Sequence, residues 1–354
     1  MTISRRDFLK VLGAAPAVAT LGGYSPLSLA ANFNLKISHQ FPGGTINEGD
    51  FRDRLCRKFA AEIAKRSGGS LGATVYPGSS LMKVNAQFSS LRKGALDMTL
   101  VPLNYAGGEV PETNVGLMPG LVTSYKQGMA WKNEEVGKLL SKILSDKGVM
   151  IVSWIWQAGG VASRVKPVIT PEDAKGMKIR GGSREMDMVL KEAGASVLTM
   201  PSNEIYAGMQ TGALDAAMTS STSLMSFRLE EVAKALTTGR GKTYWFMFEP
   251  LLISKEIFDK LDATQQGIIM KVGAELEKFA TDAAMADDQA VAKAYQKAGG
   301  KAYDLNQAAL DQWIALARET AWKDFGGKNA KDTLIYPPIS LCVCENLPFL
   351  RTDR

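Results

Sequence analysis

The sequence predicts an α/β protein with two lobes, each built on a mostly parallel sheet flanked by helices, with a hinge and a cleft between the lobes. Strand-like and helix-like segments alternate through most of the chain, as is typical of parallel sheets covered by helices. The alternation stops at one long apolar segment and then begins again. The length of 354 residues also exceeds what a single hydrophobic core usually holds.

The first α/β unit lies in the N-terminal third of the chain. Residues 34–39, 72–78 and 96–102 have the length and composition of strands. Residues 48–66, between the first two strands, place large apolar side chains four residues apart, as the buried face of a helix does. These side chains are Phe51, Leu55, Phe59 and Ile63.

The second α/β unit follows a strongly apolar segment, residues 149–160, which is predicted to be one buried strand. Residues 177–180 are the next strand, and Ser183 is the expected N-cap of the helix after it. Residues 243–254 form a second long apolar strand. A capping box that starts at Asp262 then marks the beginning of a late helix.

Residues 1–30 have the pattern of an export signal that is cleaved. The twin arginines Arg5 and Arg6 precede an apolar run at residues 11–21, and small residues at 28–30 offer a cleavage site. The alternative is a membrane anchor, but the run is shorter than the roughly 20 residues that span a bilayer. We therefore predict twin-arginine export and a mature protein that works outside the cytoplasm.

The charge distribution gives no support to nucleic-acid binding. The formal net charge is +6 for the whole chain, and it falls to +4 without residues 1–30, because that segment carries three basic residues and one acidic residue. The remaining charges of both signs are interspersed, with no basic run or basic helix. A solvated surface is the expected result.

The C-terminal tail, residues 331–354, differs in character from everything before it. Its Cys342 and Cys344 lack the second pair of ligands that would make a zinc site. The tail is predicted to be peripheral.

In open parallel sheets, ligands bind beyond the carboxyl ends of the strands. This rule selects polar and aromatic residues where the predicted strands end. They are His39, Asn104, Trp156, Gln157, Arg180, Thr219 and Ser220. Tyr244 and Trp245 belong to the second long strand, and with Trp156 they are candidates for an aromatic wall of the cleft. Core packing is the alternative for these aromatic residues.

Arg180 is distinctive because Gly181 and Gly182 follow it at the end of a strand. An arginine is rarely buried without a partner, and its planar guanidinium matches a carboxylate. The two glycines leave room for an anionic ligand to come close. The alternative is a structural ion pair with Glu172 or Asp173.

Enzyme chemistry has little support in the sequence. The chain has one histidine, His39, which excludes multi-histidine metal sites and leaves one candidate base. The motifs of serine hydrolases, zinc proteases and dinucleotide-binding enzymes are absent. No cofactor is expected. An exported enzyme acting on a small carboxylate, with His39 as base and Arg180 orienting the substrate, stays an alternative.

Residues 170–215 closely resemble the central signature of TRAP-transporter solute-binding proteins of the DctP type. The matching stretches are KGMKIR, GASVLTMPSNEIY and MQTGALD, and weaker similarity extends to about residue 330. The resemblance implies a periplasmic protein with a two-lobed, type II-like periplasmic-binding-protein fold. It also implies that the protein captures an organic acid and delivers it to the small and large integral-membrane subunits of a transporter driven by an ion gradient.

The resemblance also implies a division of the chain into lobes. Residues 31–157 together with 249–285 would form lobe I, and residues 158–248 would form lobe II. Residues 286–330 would supply helices that pack across both lobes.

By motif, Arg180 corresponds to the family's carboxylate clamp. Many relatives carry an amide shortly after the aspartate that corresponds to Asp215, and here Thr219 and Ser220 offer hydroxyl groups instead. Several relatives carry a second arginine in the region where this chain has Gln157. One clamp with an aromatic wall favours a monocarboxylate, with aromatic and branched acids among the candidates.

Some relatives that bind 2-oxo acids hold a metal ion with a glutamine, a tryptophan and a glutamate. Gln157, Trp245 and Glu249 are the matching candidates here, but the local patterns match poorly, and we expect no metal. A periplasmic sensor subunit would bind the same kind of acid, so the sequence leaves a signalling role open beside transport.

Overall fold

The computed structural model describes residues 33–329. The predicted signal (residues 1–30) and the predicted tail (residues 331–354) lie outside this part of the chain. Within it, no helix is both long and apolar enough to cross a membrane.

Twelve strands are formed by the described residues. In chain order they are β1 (Phe33–Ser38), β2 (Leu71–Tyr76), β3 (Met98–Leu100), β4 (Val149–Ser153), β5 (Trp156–Ser163), β6 (Lys178–Arg180), β7 (Ser196–Val197), β8 (Ala216–Ser220), β9 (Ala235–Thr237), β10 (Phe246–Phe248), β11 (Leu251–Ser254) and β12 (Lys301–Tyr303).

Eleven α-helices alternate with these strands. They are α1 (Phe51–Arg66), α2 (Val84–Arg92), α3 (Tyr125–Ala130), α4 (Glu135–Asp146), α5 (Arg184–Glu192), α6 (Ile205–Gln210), α7 (Ser221–Ser226), α8 (Lys255–Phe258), α9 (Ala263–Lys297), α10 (Gln307–Ala317) and α11 (Lys323–Asn329). Short 3-10 turns occur in several of the connections, and a π-helical turn, Arg318–Trp322, joins the last two helices.

The strands form two sheets. The first sheet has the order β2–β1–β3–β11–β4, and the second has the order β12–β9–β5–β8–β6–β7, with β10 paired to β5. Every antiparallel pair contains β5 or β11. These two strands arrive directly from the other sheet and so run against their neighbours. The predicted α/β class with two sheets is confirmed, and the sheets are more mixed than the sequence predicted.

Two segments cross between the sheets, and each was predicted to be a single strand. The first is split between β4 and β5 by Trp154 and Ile155, and the second between β10 and β11 by Glu249 and Pro250. Pro250 has no backbone N–H to donate to a ladder, so a break there has a local cause. The prediction of one uninterrupted strand was wrong for both segments, because the two halves of each segment pair in different sheets.

Helix caps follow the sequence closely. The Asp50 side chain accepts a hydrogen bond from the Arg52 backbone N–H at the start of α1. Ser183 caps α5 by accepting from the Met186 N–H, as predicted. The capping box at Asp262 is also confirmed, and it starts a helix of 35 residues, α9.

The buried face predicted for the first helix is confirmed, since Phe51, Leu55, Phe59 and Ile63 are at most 1% exposed. This face packs in the core of the first sheet, together with part of α9. Further along, α9 packs against α7, β5 and β12, so one helix contacts elements of both sheets. The lobe boundaries given above stay a prediction.

Close packing between α9 and β4 depends on a glycine. A Cβ at Gly273 would stand 2.2 Å from the carbonyl oxygen of Val152. We expect Gly273→Ala to lower the free energy of unfolding by about 1–3 kcal/mol, because the helix would have to move off the strand. Urea unfolding followed by tryptophan fluorescence would measure this change.

Gly267 supplies the matched control in the same helix. It is exposed, and a Cβ there would meet nothing within 4 Å. Gly267→Ala should raise the free energy of unfolding by about 0.5–1 kcal/mol through helix propensity alone. Equal gains for both variants would contradict the close contact at Gly273.

Candidate functional site

A pocket of about 540 Å³ opens where strands of both sheets end. Asn104 and Tyr105 follow β3 of the first sheet, whereas Arg180 ends β6 of the second and Gly182 follows it. The carboxyl ends of the strands were the predicted location. The remaining lining residues are Asn85, Ser183, Arg184, Asp187, Met188, Lys191, Thr199, Met200 and Pro201.

Arg180 lies in the wall of this pocket and is only 4% exposed. Its Nε donates to the carbonyl oxygen of Met200 at 3.1 Å, and its Nη1 donates to that of Met218 at 2.7 Å. Both acceptors are neutral main-chain groups. In the described part of the chain, the other three of its five N–H groups have no hydrogen-bond acceptor.

The structural ion pair considered for Arg180 does not form. Glu172 pairs with Lys175 at 3.5 Å, and Asp173 pairs with Lys166 at 3.7 Å. Both acidic residues therefore have other cationic partners, and neither neutralises the Arg180 guanidinium.

Position 182, two residues after Arg180, requires glycine for a steric reason. Gly182 has a φ of +98°, and a Cβ there would stand 2.8 Å from both Arg180 Nη1 and the indole of Trp245. A side chain at this position would displace the arginine. Trp245 also lies against Gly159, where a Cβ would stand 2.4 Å from its ring. Trp245 therefore packs beside the arginine, and its indole N–H is buried without a partner.

Asn104 and Tyr105 connect the first sheet to the second. Asn104 Nδ2 donates to the carbonyl oxygen of Gly182 at 2.7 Å. The Tyr105 hydroxyl accepts from the backbone N–H of Ser202 at 3.2 Å. The loop after β3 is thus tied to two loops of the second sheet beside Arg180.

A second guanidinium, Arg52, joins the two sheets more deeply in the protein. Its Nε and Nη2 donate to the two carboxylate oxygens of Asp50 at 2.9 and 2.6 Å. Nη1 donates to Glu249 at 3.2 Å and to Ser220 at 3.3 Å, and Nη2 also donates to Ser223 at 3.0 Å. These five bonds use all five N–H groups of the side chain.

The environment of Arg52 is dry. The residue is 0% exposed, and its guanidinium lies 3.5 Å from the centre of the Phe41 ring. Burial alone would raise the pKa of the Asp50 carboxyl, but the charge and hydrogen bonds of Arg52 hold that pKa below its usual value. For Glu249, burial prevails over Arg52 and the pKa is raised. Arg52 and Asp50 thus form a charged pair, whereas Glu249 is protonated more easily than an ordinary glutamate.

Gln157 and Ser220 belong to this cluster around Arg52. Gln157 Nε2 donates to Glu249, and its Oε1 is buried without a partner. The Ser220 hydroxyl caps α7 by accepting from the backbone N–H of Ser223, in addition to its bond with Arg52. The Ser220 hydroxyl and Glu249 Oε2 are therefore already engaged by the protein.

The metal site considered for Gln157, Trp245 and Glu249 gains no support from this arrangement. Glu249 Oε2 accepts from the cationic Arg52 and from the Gln157 amide, and a metal ion on this oxygen would have to displace both donors. Among residues 33–329, no group of three or more histidine, cysteine, aspartate or glutamate residues is arranged to hold a metal ion.

The other predicted site residues lie in the interior and do not line the pocket. Trp156 is 2% exposed and stacks on Phe248 with ring centres 5.0 Å apart. Tyr244 stacks on Trp313 at 4.5 Å. The alternative of core packing therefore describes both aromatic residues. Their role as a cleft wall is not supported, because period-two alternation does not distinguish a core face from a cleft face.

His39 and Thr219 are also buried. His39 Nε2 lies 3.2 Å from an oxygen of Asp53, and the imidazole stacks on Phe41. Thr219 is the second-last residue of β8 and is 3% exposed. The pocket therefore brings together Arg180 and Asn104, with Trp245 adjoining through Gly182.

Sequence reasoning missed Arg52, Asp50 and Ser223. A signal was available, because Arg52 precedes the buried Cys56 by one helical turn and so lies on the inner side of α1. Its partners could not be found from spacing, since Ser220 is 168 positions away.

A pocket at the strand ends of two sheets, with a few polar groups and a buried arginine in its wall, has the character of a small-molecule binding site. The chain belongs to the bacterial extracellular solute-binding protein family 7, the DctP family, whose model matches residues 45–328. Residues 2–22 match a twin-arginine translocation signal. The predicted resemblance, the export signal and the periplasmic location are confirmed. The family consists of solute-binding receptors of transporters.

Similar proteins come from several bacteria. A solute-binding protein of Albidiferax ferrireducens is 65% identical over 92% of this chain and 96% of its own length. A crystal structure of a TRAP periplasmic solute-binding protein from Rhodoferax ferrireducens, with bound malonate, is 66% identical, with a TM-score of 0.87 over 89% of this chain and 100% of that one. The 2,3-diketo-L-gulonate-binding periplasmic protein YiaO of Escherichia coli is 28% identical over 80% of this chain and 84% of its own length.

Removing the guanidinium at position 52 should be costly. In Arg52→Met, the Asp50 carboxylate would stay buried without its cation, and we expect a loss of about 3–5 kcal/mol in the free energy of unfolding. Urea unfolding of the ligand-free protein measures the loss.

Arg66→Met is the matched control on the same helix. Arg66 pairs with Glu62 at 3.0 Å and Glu275 at 2.7 Å, but all three side chains are at least a third exposed. Its loss should change the free energy of unfolding by at most about 1 kcal/mol. Similar small losses for both variants would show that the Arg52 cluster contributes little to stability.

Proposed function

We propose that this protein captures a small organic acid by pairing its carboxylate with Arg180, and that it delivers the acid to the small and large membrane subunits of a TRAP transporter. The observation that carries the proposal is the state of Arg180, a buried cation in a pocket wall whose two hydrogen bonds both go to neutral carbonyl groups. The family supports the transport role.

A buried charge whose hydrogen bonds go only to neutral groups is costly, and Asp187, whose pKa is raised by burial and lowered by the charge of Arg180, is not hydrogen-bonded to that guanidinium. The pocket therefore favours an anionic ligand. A carboxylate matches the planar guanidinium and can take two of its N–H groups at once. Arg52 cannot serve in the same way, because all of its N–H groups already donate to protein oxygens. Arg180 is therefore the proposed clamp.

We further propose that the ligand is a monocarboxylate, because this chain has Gln157 in the region where several relatives carry a second arginine. The malonate bound to the relative from Rhodoferax ferrireducens carries two carboxylates. In this chain, the other cations that line the pocket are Arg184 and Lys191, and both are exposed. Trp245 lies behind Gly182, beside Arg180, and does not itself line the pocket, so the proposal of an aromatic or branched acid rests on the sequence.

A thermal-shift screen tests carboxylate binding directly. Malonate, propionate, benzoate and branched acids would be added singly to the mature protein. A ligand present at 100 times its dissociation constant adds about 2.7 kcal/mol to the free energy of unfolding. At least one acid should raise the melting temperature clearly, and recovery of that acid unchanged would argue against catalysis. If no acid raises it, the proposal fails.

Arg180→Lys tests the clamp itself. Lysine keeps the charge but loses the planar pair of donors, so we expect affinity for the best acid of the screen to fall at least about tenfold. Isothermal titration calorimetry would measure it.

Arg184→Lys is the control for Arg180→Lys, since Arg184 lines the same pocket but its side chain is 47% exposed and pairs with Asp324. Its affinity should stay within about twofold of the wild type. Unchanged affinity in Arg180→Lys would show that the guanidinium geometry is not used.

A further inference from the structure

An acceptor without a donor lies beside Arg180 in the pocket. Asn104 Oδ1 is buried and has no hydrogen-bond partner. The orientation of this amide is fixed by its other end, because Nδ2 donates to the carbonyl oxygen of Gly182, which can only accept. The unpaired atom is therefore an oxygen, and it requires a donor.

Asn104 and Arg180 both contact the same glycine. Asn104 bonds the carbonyl oxygen of Gly182 at 2.7 Å, and a Cβ at Gly182 would stand 2.8 Å from Arg180 Nη1. The two side chains therefore flank the same residue of the pocket wall, and both line the pocket.

A second acceptor lies in the same pocket. Asp187 lines it, with Oδ2 accepting from the Thr199 hydroxyl at 3.2 Å and Oδ1 lying against the backbone of Gly181. Asp187 is thus already engaged, and the pocket combines unused donors on Arg180 with an unused acceptor on Asn104. A plain carboxylic acid, ionised, has only acceptors and would leave the Asn104 oxygen unpaired.

We propose that the ligand is a hydroxy carboxylate, with its carboxylate on Arg180 and a neighbouring hydroxyl donating to Asn104 Oδ1. This inference rests on the proposed function and narrows its substrate class. The physical reason is that a buried acceptor without a donor costs about 1–3 kcal/mol, and a ligand hydroxyl would supply the missing donor. Asn104 is then a specificity-determining residue, because it favours acids that carry the hydroxyl over those that lack it.

Matched pairs of acids test the inference in the wild-type protein. Lactate differs from propionate, and hydroxymalonate from malonate, by one hydroxyl group. Calorimetric titration should give at least a tenfold lower dissociation constant for the hydroxy acid in at least one pair, while alanine, whose ammonium would lie near Arg180, should bind more weakly than lactate.

The outcomes separate the two proposals. Equal affinities within both pairs would show that the site does not recognise the added hydroxyl. This result would overturn the hydroxyl inference and leave carboxylate binding intact. Tighter binding of alanine than of lactate would replace the hydroxyl by an ammonium group and would also overturn it. Binding of none of the five compounds would contradict the proposed function together with the inference.

A pair of asparagine variants assigns the effect to one atom. Asn104→Leu removes Oδ1, and the ratio of the two dissociation constants within a pair should fall to near one. Asn85→Leu changes an exposed asparagine of the same pocket and should leave the ratio unchanged. Because the ratio is taken within one variant, a general loss of affinity cancels.

If Asn104→Leu retains the wild-type ratio, the hydroxyl is recognised elsewhere and the role of Asn104 is overturned. If this variant does not fold, Asn104→Ala, which is smaller and also has no side-chain acceptor, gives the same comparison. The wild-type pairs decide the substrate class in either case.

Discussion

The Arg52 guanidinium is the interaction on which the arrangement of the strand ends depends. It bonds Asp50 at the start of α1, two serines at the end of β8 and the start of α7, and Glu249 between β10 and β11. One side chain thereby fixes the first sheet, the second sheet and a crossing segment relative to one another. Because every N–H is used and the site is dry, a shift of any of these elements would leave a buried polar group unpaired.

Arg52 and Arg180 differ in how completely the protein satisfies them, and this difference separates structure from binding. The first is saturated by charged and hydroxyl acceptors, whereas the second has two carbonyl acceptors and no carboxylate partner among the described residues. A saturated buried arginine stabilises one arrangement. An unsaturated buried arginine still has N–H groups without acceptors. A ligand carboxylate that accepts from them forms charge-assisted hydrogen bonds, and these contribute to its binding free energy.

The sequence predicted the features that depend on local chemistry. Residues close together in the chain are enough to predict the caps at Ser183 and Asp262 and the buried face of α1. They also predict that Arg180 lies at the end of a strand. It could not predict the Arg52 cluster, whose members are far apart in sequence and meet only in the folded protein. Trp156 was ambiguous for a different reason, since a buried aromatic residue has the same pattern in a core and in a cleft.

The crossing segments impose a constraint on how ligand specificity can vary in this protein. Gln157 and Glu249 lie where the chain passes between the sheets, and both are bound to each other or to Arg52. A substitution there would alter the connection between the sheets as well as the pocket. Asn104 lies in the turn after β3 and Asp187 in α5, both outside these crossings, and Asn104 Oδ1 is still unpaired. Positions of this kind can change ligand preference without disturbing the Arg52 cluster, so specificity is expected to reside there and the charge requirement in Arg180.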